Sequence, residues 1–130
     1  MSFYLDTSAA VKLVLAGAGS AALRRWLTAH DGEVVSSDLL RTELLRATRR
    51  AAPDEMPRAR AVLDSITLIS VSTATFERAA ELDPHVLRSL DALHLAAALE
   101  LGDELGGMVT YDERLSAGAR LHGISTIAPR

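Results

Sequence analysis

The chain has no cysteine, a single lysine (Lys12) and only five aromatic residues among its 130 positions. Without cysteine, neither a disulfide framework nor a thiolate metal site can hold the fold or carry chemistry. No apolar run approaches the roughly 20 residues that a transmembrane helix needs. The chain opens directly into strand-like sequence, with no basic and apolar leader, so we expect no secretory signal and a cytoplasmic location.

What is present is the composition of an ordinary globular protein, with 48% hydrophobic and 24% charged residues. A chain of 130 residues predicts a single domain spanning 1–130. The formal net charge of −3 excludes a protein that coats nucleic acid through bulk positive charge. Six arginines nevertheless fall between positions 41 and 60. They form either a solvated helix face or a local phosphate-binding surface, and the sequence leaves both interpretations open.

Strand-like and helix-like segments alternate along the whole chain. The strand-like segments are "SFYLD", "EVVS", "TLISV", "GGMVTY" and "ISTIA". One intervening helix, "SLDALHLAAALEL", is apolar on almost every side, so we expect it to be buried. The alternation predicts an α/β fold, in which helices cover both faces of a parallel sheet. In such folds, ligands bind beyond the carboxyl ends of the strands, where the strand order reverses.

Four of the seventeen acidic residues do not lie in plainly polar surroundings. They are Asp6 at the end of the first strand, Glu43 in mid-helix, Asp91 at the start of the apolar helix, and Asp112 between a strand and a helix. Taken singly, Asp91 and Asp112 could be helix caps, and Glu43 could pair with Arg46 or Arg50. The strand-end carboxylate has no such explanation, because a charge at the end of an interior strand is costly unless something uses it.

If these carboxylates meet at one edge of the sheet, their mutual repulsion requires a compensating cation. Oxygen ligands without cysteine favour Mg²⁺ or Mn²⁺ over zinc. A divalent cation in such a site suits phosphodiester hydrolysis, because it activates water and neutralises charge on the phosphate. The residues alone therefore support the hypothesis of a metal-dependent nuclease that holds the substrate backbone with the arginines of 41–60.

Four segments, in this order, resemble the PIN-domain ribonucleases, and among them the VapC-type toxins of bacterial toxin–antitoxin pairs. They are "DTSAAVKLVL", "LLRTELLRA", "LDALHLAAAL" and "VTYDERLSAGARLHGI". The resemblance covers essentially the whole chain. It implies a three-layer α/β/α domain whose five-strand parallel sheet has the order 3-2-1-4-5.

The resemblance also implies a catalytic quartet of acids around Mg²⁺ or Mn²⁺, namely Asp6, Glu43, Asp91 and Asp112. Asp6 and Asp91 match the principal metal ligands, and the other two complete the pocket, directly or through water. Ser8 and Thr110 match the hydroxyls that support these acids. His94 shares a helix face with Asp91, and it is either a ligand or a buried residue that supports the acids by packing or hydrogen bonding.

Further expectations from the resemblance concern activity and partners. The chain would be an endoribonuclease toxin acting on structured RNA, such as tRNA or ribosomal RNA. It would form a homodimer and bind a cognate antitoxin that occludes its site. Apart from the resemblance, the arginine-rich segment and the position of Arg88 one turn before Asp91 give the residues expected to contact the RNA backbone, namely Arg41, Arg46, Arg49, Arg50 and Arg88. Because aromatic residues are scarce, shape and phosphate contacts should dominate recognition, and Tyr111 is the aromatic to test for base stacking.

Other classes of protein compete with this interpretation. "KLVLAGAGSAA" can be parsed as a strand followed by G-x-G-x-x-A, with Asp38 about twenty residues on, as in a Rossmann-like nucleotide-binding domain. That parsing leaves the four acids unexplained. A haloacid-dehalogenase-type phosphoacceptor would want an Asp where Ser8 stands, and a receiver domain would want a late lysine. A non-catalytic α/β interaction module would neither bind metal at the sheet edge nor gain stability from it.

Overall fold

A computed structural model describes residues 1–130 and contains one five-stranded parallel sheet flanked by helices. The strands are β1 (Ser2–Leu5), β2 (Val34–Ser37), β3 (Thr67–Ile69), β4 (Leu105–Val109) and β5 (Thr126–Ile127). The helices are α1 (Thr7–Val14), α2 (Ser20–Ala29), α3 (Asp38–Ala51), α4 (Met56–Asp64), α5 (Thr73–Glu81), α6 (Ser89–Leu99) and α7 (Glu113–Leu121). Short 3₁₀ helices occupy Pro53–Glu55 and Gly102–Glu104. No helix is both long and apolar enough to cross a bilayer.

The sheet has the strand order β3-β2-β1-β4-β5, and every neighbouring pair is parallel. The chain builds outward from β1 to β2 and β3, then returns to add β4 and β5 on the other side. The order therefore reverses between β1 and β4, which is where open α/β sheets bind ligands at the carboxyl ends of their strands. The predicted fold class and strand order are confirmed.

Successive residues of the central strands enter opposite cores, as the two-residue period of a strand requires. Leu5 of β1 and Val109 of β4 pack with residues of α1, α2, α3 and α4 on one face. Tyr4 and Met108 pack with residues of α6 and α7 on the other face. Helix α5 packs against α6 through small apolar side chains. The helices on one face, the sheet, and the helices on the other face form three layers, with one core on each side of the sheet.

The apolar sequence of helix α6 explains why this helix is buried. Every residue from Ala92 to Ala98 is buried, as the all-round apolar pattern predicts. His94 is the polar exception in this run, and its burial requires hydrogen-bonding partners. The partners that it finds belong to the candidate site.

Several details of the local predictions were wrong. The last strand is limited to Thr126–Ile127, because only those residues pair with β4. Lys12 to Val14 lie within α1 rather than in a strand, so the Rossmann-like parsing of the glycine segment is wrong. Asp91 is not a helix cap, because Arg88 occupies the N-cap of α6. Asp6 does have a helix role, since α1 starts at the next residue and Asp6 is its N-cap.

Candidate functional site

Residues from both strands beside the order reversal meet at the carboxyl edge of the sheet. Asp6 follows β1, and Thr110 to Asp112 follow β4. The backbone N–H of Asp6 donates to the carbonyl of Val109 at 3.0 Å, so the two chain segments leave the sheet together. Sequence reasoning predicted this meeting point, and the structure puts both predicted acids beside it.

Asp6 is 4% exposed and is held by a dense set of hydroxyl contacts. Its Oδ2 accepts from the Ser8 hydroxyl at 2.7 Å, from the Thr110 hydroxyl at 2.9 Å and from the Ser8 N–H at 3.3 Å. The Tyr111 N–H donates to Ser8 Oγ at 2.9 Å, and the Asp112 N–H donates to Thr110 Oγ1 at 3.1 Å. The hydroxyls predicted to support Asp6 therefore contact it and also tie β1 to the segment after β4.

The two oxygens of Asp6 have different surroundings. All the hydrogen bonds from the protein reach Oδ2, and none reaches Oδ1. Because no buried side-chain oxygen or nitrogen in the protein lacks a partner, Oδ1 must face solvent. The hydrogen bonds to Oδ2 therefore hold the carboxylate in one orientation, and Oδ1 is the oxygen left available to a ligand.

Glu43 belongs to a second network, which runs through the core. The Thr7 hydroxyl donates to Glu43 Oε1 at 3.0 Å, and His94 Nε2 contacts the same oxygen. Tyr4 lies on the far side of the imidazole, with its hydroxyl 2.7 Å from His94 Nδ1 and 2.8 Å from Ser37 Oγ. The pairing of Glu43 with Arg46 or Arg50 that the sequence left open is not found.

The hydrogen-bond partners of His94 favour its protonated form. The single Tyr4 proton goes to Ser37, so the Tyr4 oxygen accepts from Nδ1–H of His94. Nε2 faces the Glu43 carboxylate and donates as well. These contacts are satisfied when both ring nitrogens carry hydrogen, as in an imidazolium, and both nitrogens are occupied by protein groups rather than free to bind a metal.

The electrostatics agree with this ion pair. Burial disfavours the charged form of His94, but the hydrogen bond to Glu43 and the surrounding carboxylates outweigh it and raise the pKa of His94. Burial likewise opposes the charge on Glu43, yet the hydrogen bond and charge of His94 hold the pKa of Glu43 below its usual range. A cation is therefore built into the acidic site.

Asp91 and Asp112 line the same polar pocket, and Asp6 is near enough for its charge to act on Asp91. Asp112 is the N-cap of α7, and its Oδ1 accepts from the N–H groups of Arg114 and Leu115 at 2.9 and 3.0 Å. Asp91 has no hydrogen bond of this kind. Burial and the negative charges of Asp112 and Asp6 raise the pKa of Asp91 to about 6.

The four predicted acids act on one another through space without forming a cage. No group of three or more acidic or histidine side chains is arranged to enclose a metal ion. The donors are all oxygen, and Mg²⁺ needs only one or two protein carboxylates beside water and phosphate. The donor set therefore fits a hydrated divalent cation held by two carboxylates, and it does not fit an ion coordinated by the protein alone.

Only part of the predicted arginine set lies beside the acids. Arg46 and Arg50 line a pocket with Glu43, and Arg88 lines the polar pocket with Asp91. Arg41 and Arg49 are exposed on α3 but line neither pocket. The helical period explains the split, because residues three or four apart share a face.

Tyr111 is not the open stacking surface that the sequence suggested. Its hydroxyl donates to the Pro129 carbonyl at 2.6 Å, and Lys12 Nζ lies 4.6 Å from the ring centroid. Phe76, by contrast, is 52% exposed and lines the pocket that Glu43 shares. Phe76 is far in sequence from all four candidate site acids, so no local pattern indicated this position.

Two further site residues escaped the sequence reasoning. Tyr4 has the pattern of an ordinary strand residue. Two signals could have indicated its role: a buried tyrosine hydroxyl usually has a hydrogen-bond partner, and the alternation of side chains along β1 places Tyr4 on the α6 side of the sheet. Thr7 lies in the segment "DTSAAVKLVL", which by itself assigns it no role. Its contact with Glu43 depends on α1 and α3 lying side by side, which no local pattern specifies.

Comparison with known proteins identifies the family. Residues 3–121 match the PIN domain model. The chain is 41% identical over 130 residues to Ribonuclease VapC47 of Mycobacterium tuberculosis, covering 97% of this chain and 96% of that protein. The crystal structure of Mycobacterium tuberculosis VapC20, described as a Sarcin-Ricin loop cleaving toxin, superposes with a TM-score of 0.76 at 19% identity and covers 98% of this chain and 100% of that one. A toxin-antitoxin complex from Klebsiella pneumoniae gives 0.75 at 22% identity, covering 99% and 98%. This chain belongs to the PIN-domain family and resembles its VapC-type members along nearly its whole length.

Proposed function

We propose that this protein is a metal-dependent endoribonuclease, the toxin of a VapBC-type toxin–antitoxin pair. The observation that carries the proposal is the set of acids at the carboxyl edge of the sheet, where burial and the negative charges of Asp112 and Asp6 raise the pKa of Asp91 to about 6. A perturbed carboxylate in a cleft with charged neighbours is typical of a functional site. The relative at 41% identity, which is named a ribonuclease, supports the same activity.

The cofactor in this proposal is Mg²⁺ or Mn²⁺. Asp6 would hold it through its solvent-facing Oδ1, together with Asp91, whereas Asp112 and Glu43 would act through water. When bound, the ion activates water and neutralises charge on the scissile phosphate. The oxygen-only donor set and the raised pKa of Asp91, caused by burial and by the nearby carboxylates, support this choice.

The chain's own groups would position the reaction. Ser8 and Thr110 fix Asp6 by holding Oδ2, so that Oδ1 keeps one direction. His94 fixes Glu43 and offsets its charge, which lowers the repulsion that an incoming phosphate meets. Three guanidinium groups next to the acids would bind the RNA backbone. They are Arg46, Arg50 and Arg88. Arg41 and Arg49 would extend this surface along α3.

Partners complete the proposal. The RNA would be a structured one, tRNA or ribosomal RNA, and the protein would act as a homodimer controlled by a cognate antitoxin. The family assignment supports these partners, and the solved toxin-antitoxin complex has the same fold. Purification of the chain with the product of the adjacent reading frame tests the antitoxin, and sedimentation equilibrium tests the dimer.

Mapping of cleaved RNA ends tests the activity. The wild type and the variants Asp6→Asn and Asp91→Asn are compared on total bacterial RNA with Mg²⁺ or Mn²⁺. We expect discrete cleavage by the wild type and none by either variant. Asp103→Asn is the matched control, because this exposed acid precedes β4 at the opposite edge of the sheet. Cleavage that persists in Asp6→Asn, or that does not depend on metal, contradicts the proposal, and a non-catalytic interaction module then becomes the better interpretation.

A further inference from the structure

Four side chains from four different elements form a continuous hydrogen-bond chain that ends at the acid site. The Tyr4 hydroxyl of β1 donates to Ser37 Oγ of β2 at 2.8 Å and lies 2.7 Å from Nδ1 of His94 on α6. Nε2 of His94 in turn contacts Glu43 Oε1 on α3. Tyr4, Ser37 and His94 are fully buried, whereas the Glu43 side chain is 24% exposed. The chain therefore connects a buried strand residue with a carboxylate that reaches solvent.

The Tyr4 hydroxyl holds one side of the His94 imidazole, and Glu43 holds the other. A tyrosine hydroxyl keeps its single proton at neutral pH. That proton goes to Ser37, so the Tyr4 oxygen is left to accept from Nδ1–H of His94. A half-turn of the imidazole would place carbon atoms where Nδ1 and Nε2 now make their contacts. The two contacts therefore select one orientation of the ring.

Ser37 supports this interpretation independently, because it gives up an ordinary local role. It is the N-cap residue of α3, where a serine side chain usually accepts from an N–H of the first helical turn. The Ser37 side chain makes no such hydrogen bond. Its oxygen accepts from Tyr4 instead. A residue that could stabilise the start of α3 thus binds the residue that holds His94.

Packing alone does not require these polar groups. Replacement of both partners of a buried hydrogen bond by apolar groups of the same shape is close to neutral for stability. Apolar residues at positions 4 and 94 would therefore fill this core, and every other residue from Ala92 to Ala98 is apolar. The carboxylate at the end of the chain gives the polar groups a purpose that packing does not.

We propose that Tyr4 is a positioning residue for the nuclease reaction, because it holds His94 so that the imidazole keeps the Glu43 carboxylate in one orientation. This inference rests on the proposed function and adds a residue that lies outside the site acids and arginines. Because Tyr4 acts on Glu43 through the imidazole, loss of its hydroxyl should have little further effect once His94 has been replaced. A purely structural role of Tyr4 predicts an effect that does not depend on His94.

The first experiment follows the ring nitrogens of His94 by NMR in protein that contains isotope-labelled histidine, and it needs no activity. We expect a slowly exchanging Nδ1–H signal in the wild type and its loss in Tyr4→Phe, whereas His94→Gln identifies the signal. Thr48→Val is the matched control, because it removes a similarly buried hydroxyl that donates to the Leu44 carbonyl. It should leave the signal unchanged. A signal that is absent from the wild type, or unchanged in Tyr4→Phe, overturns the inference.

The second experiment measures kcat and KM on an RNA that the wild type cleaves and Asp6→Asn does not. Tyr4→Phe should lower kcat about tenfold, in the range for lost outer partners of metal-site residues, and change KM by less than about twofold. In the His94→Gln background, the same change should lower kcat by less than about twofold. Thr48→Val should have the kinetic constants of the wild type. An equal fall of kcat in both backgrounds overturns the inference, because Tyr4 then acts independently of His94.

The outcomes distinguish a failure of the proposed function from a failure of this inference. If Asp6→Asn cleaves like the wild type, the proposed function fails, and the role of Tyr4 in the reaction fails with it. If Asp6→Asn is inactive but Tyr4→Phe cleaves like the wild type, only the role of Tyr4 fails. If Tyr4→Phe does not fold, the Tyr4→Phe/Ser37→Ala variant replaces it in both experiments, because it removes both partners of the buried hydrogen bond.

Discussion

The pairing of His94 with Glu43 makes a quantitative prediction about stability. We replace each ionised group by a neutral amide of similar size, in His94→Gln, Glu43→Gln and the double variant. If the two side chains form an ion pair, each single change removes the same interaction. The double variant should therefore lose less stability than the two single variants added together.

The magnitude follows from the burial of the two side chains. Removal of one partner from a fully buried ion pair costs about 3–5 kcal/mol. The His94 side chain is 1% exposed, but that of Glu43 is 24% exposed and keeps the Thr7 hydroxyl. We therefore expect His94→Gln to cost about 2–3 kcal/mol, in the range for lost hydrogen bonds to charged groups. The coupling energy between the two sites should be at least about 1.5 kcal/mol.

The pH of the measurement is set by the two pKa shifts. The pKa of Glu43 is lowered from its ordinary 4.5. Its contribution to the stability of the fold is therefore present above pH 4.5 and is lost as the pH falls through the folded-state pKa. The pKa of His94 is raised from its ordinary 6.5, so its contribution is present below that pH and is lost as the pH rises through the folded-state value. The coupling should be complete between pH 4.5 and 6.5.

Urea unfolding at about pH 5.5 of the wild type, the two single variants and the double variant gives the coupling energy. Glu55 and Arg58 form the matched control, because they make an exposed ion pair at 3.1 Å on the surface, with side chains 42% and 55% exposed. Their coupling should be below about 0.5 kcal/mol. If His94→Gln and Glu43→Gln are additive within about 0.5 kcal/mol, the imidazolium–carboxylate pair does not exist in solution.

Three further outcomes follow from the other acids. Mn²⁺ should raise the melting temperature of the wild type but barely that of the Asp6→Asn/Asp91→Asn double variant. The shift in the wild type should be larger at pH 7.5 than at pH 5, because protons compete with the ion for Asp91, whose pKa is about 6. A shift that does not depend on pH would place the ion elsewhere. Thr110→Val removes the 2.9 Å hydrogen bond to Asp6 and should weaken Mn²⁺ binding about tenfold in calorimetry, within the range for lost hydrogen-bond partners of metal ligands. Unchanged affinity would contradict the inference that hydrogen bonds to Oδ2 position Asp6 for the metal. Asp112→Ala should cost about 1 kcal/mol in urea unfolding through loss of the α7 cap, whereas Asp112→Asn should keep the cap. Both Asp112 variants should lose RNA cleavage, and activity in the asparagine variant would limit Asp112 to a structural role.

The sheet and the position of the site follow from patterns that the sequence contains. Alternating strand-like and helix-like segments predict the layers, and the all-round apolar character of α6 predicts its burial. Asp6 and Asp112 follow β1 and β4 directly, so the parallel topology alone brings them to one edge. The strand order itself came from the resemblance to a known family, because pairing between distant strands leaves little local trace.

The parts of the site that could not be predicted depend on contacts between elements. Tyr4 and His94 are separated by 90 residues, and they meet because β1 and α6 share one core. Phe76 reaches the pocket only because α5 packs beside α6, whereas Tyr111, adjacent to an acid in the sequence, turns to the Pro129 carbonyl. Proximity in sequence was the wrong guide to the exposed aromatic, and tertiary packing decided it.

The four site acids differ in their hydrogen-bond partners, and this difference indicates which carboxylate a bound cation would stabilise most. Asp6 receives three donors on one oxygen, Glu43 has the charge of His94, and Asp112 accepts two N–H groups at the start of α7. Asp91 accepts no such hydrogen bond, and burial together with the negative charges of Asp112, Asp6 and Glu43 raises its pKa to about 6, although the charge of His94 lowers it. The protein thus gives three of its four site acids fixed hydrogen-bond donors and leaves Asp91 without one. In the proposed function, a divalent ion next to Asp91 would relieve the repulsion among the acids, so we expect the ion to gain most from this carboxylate.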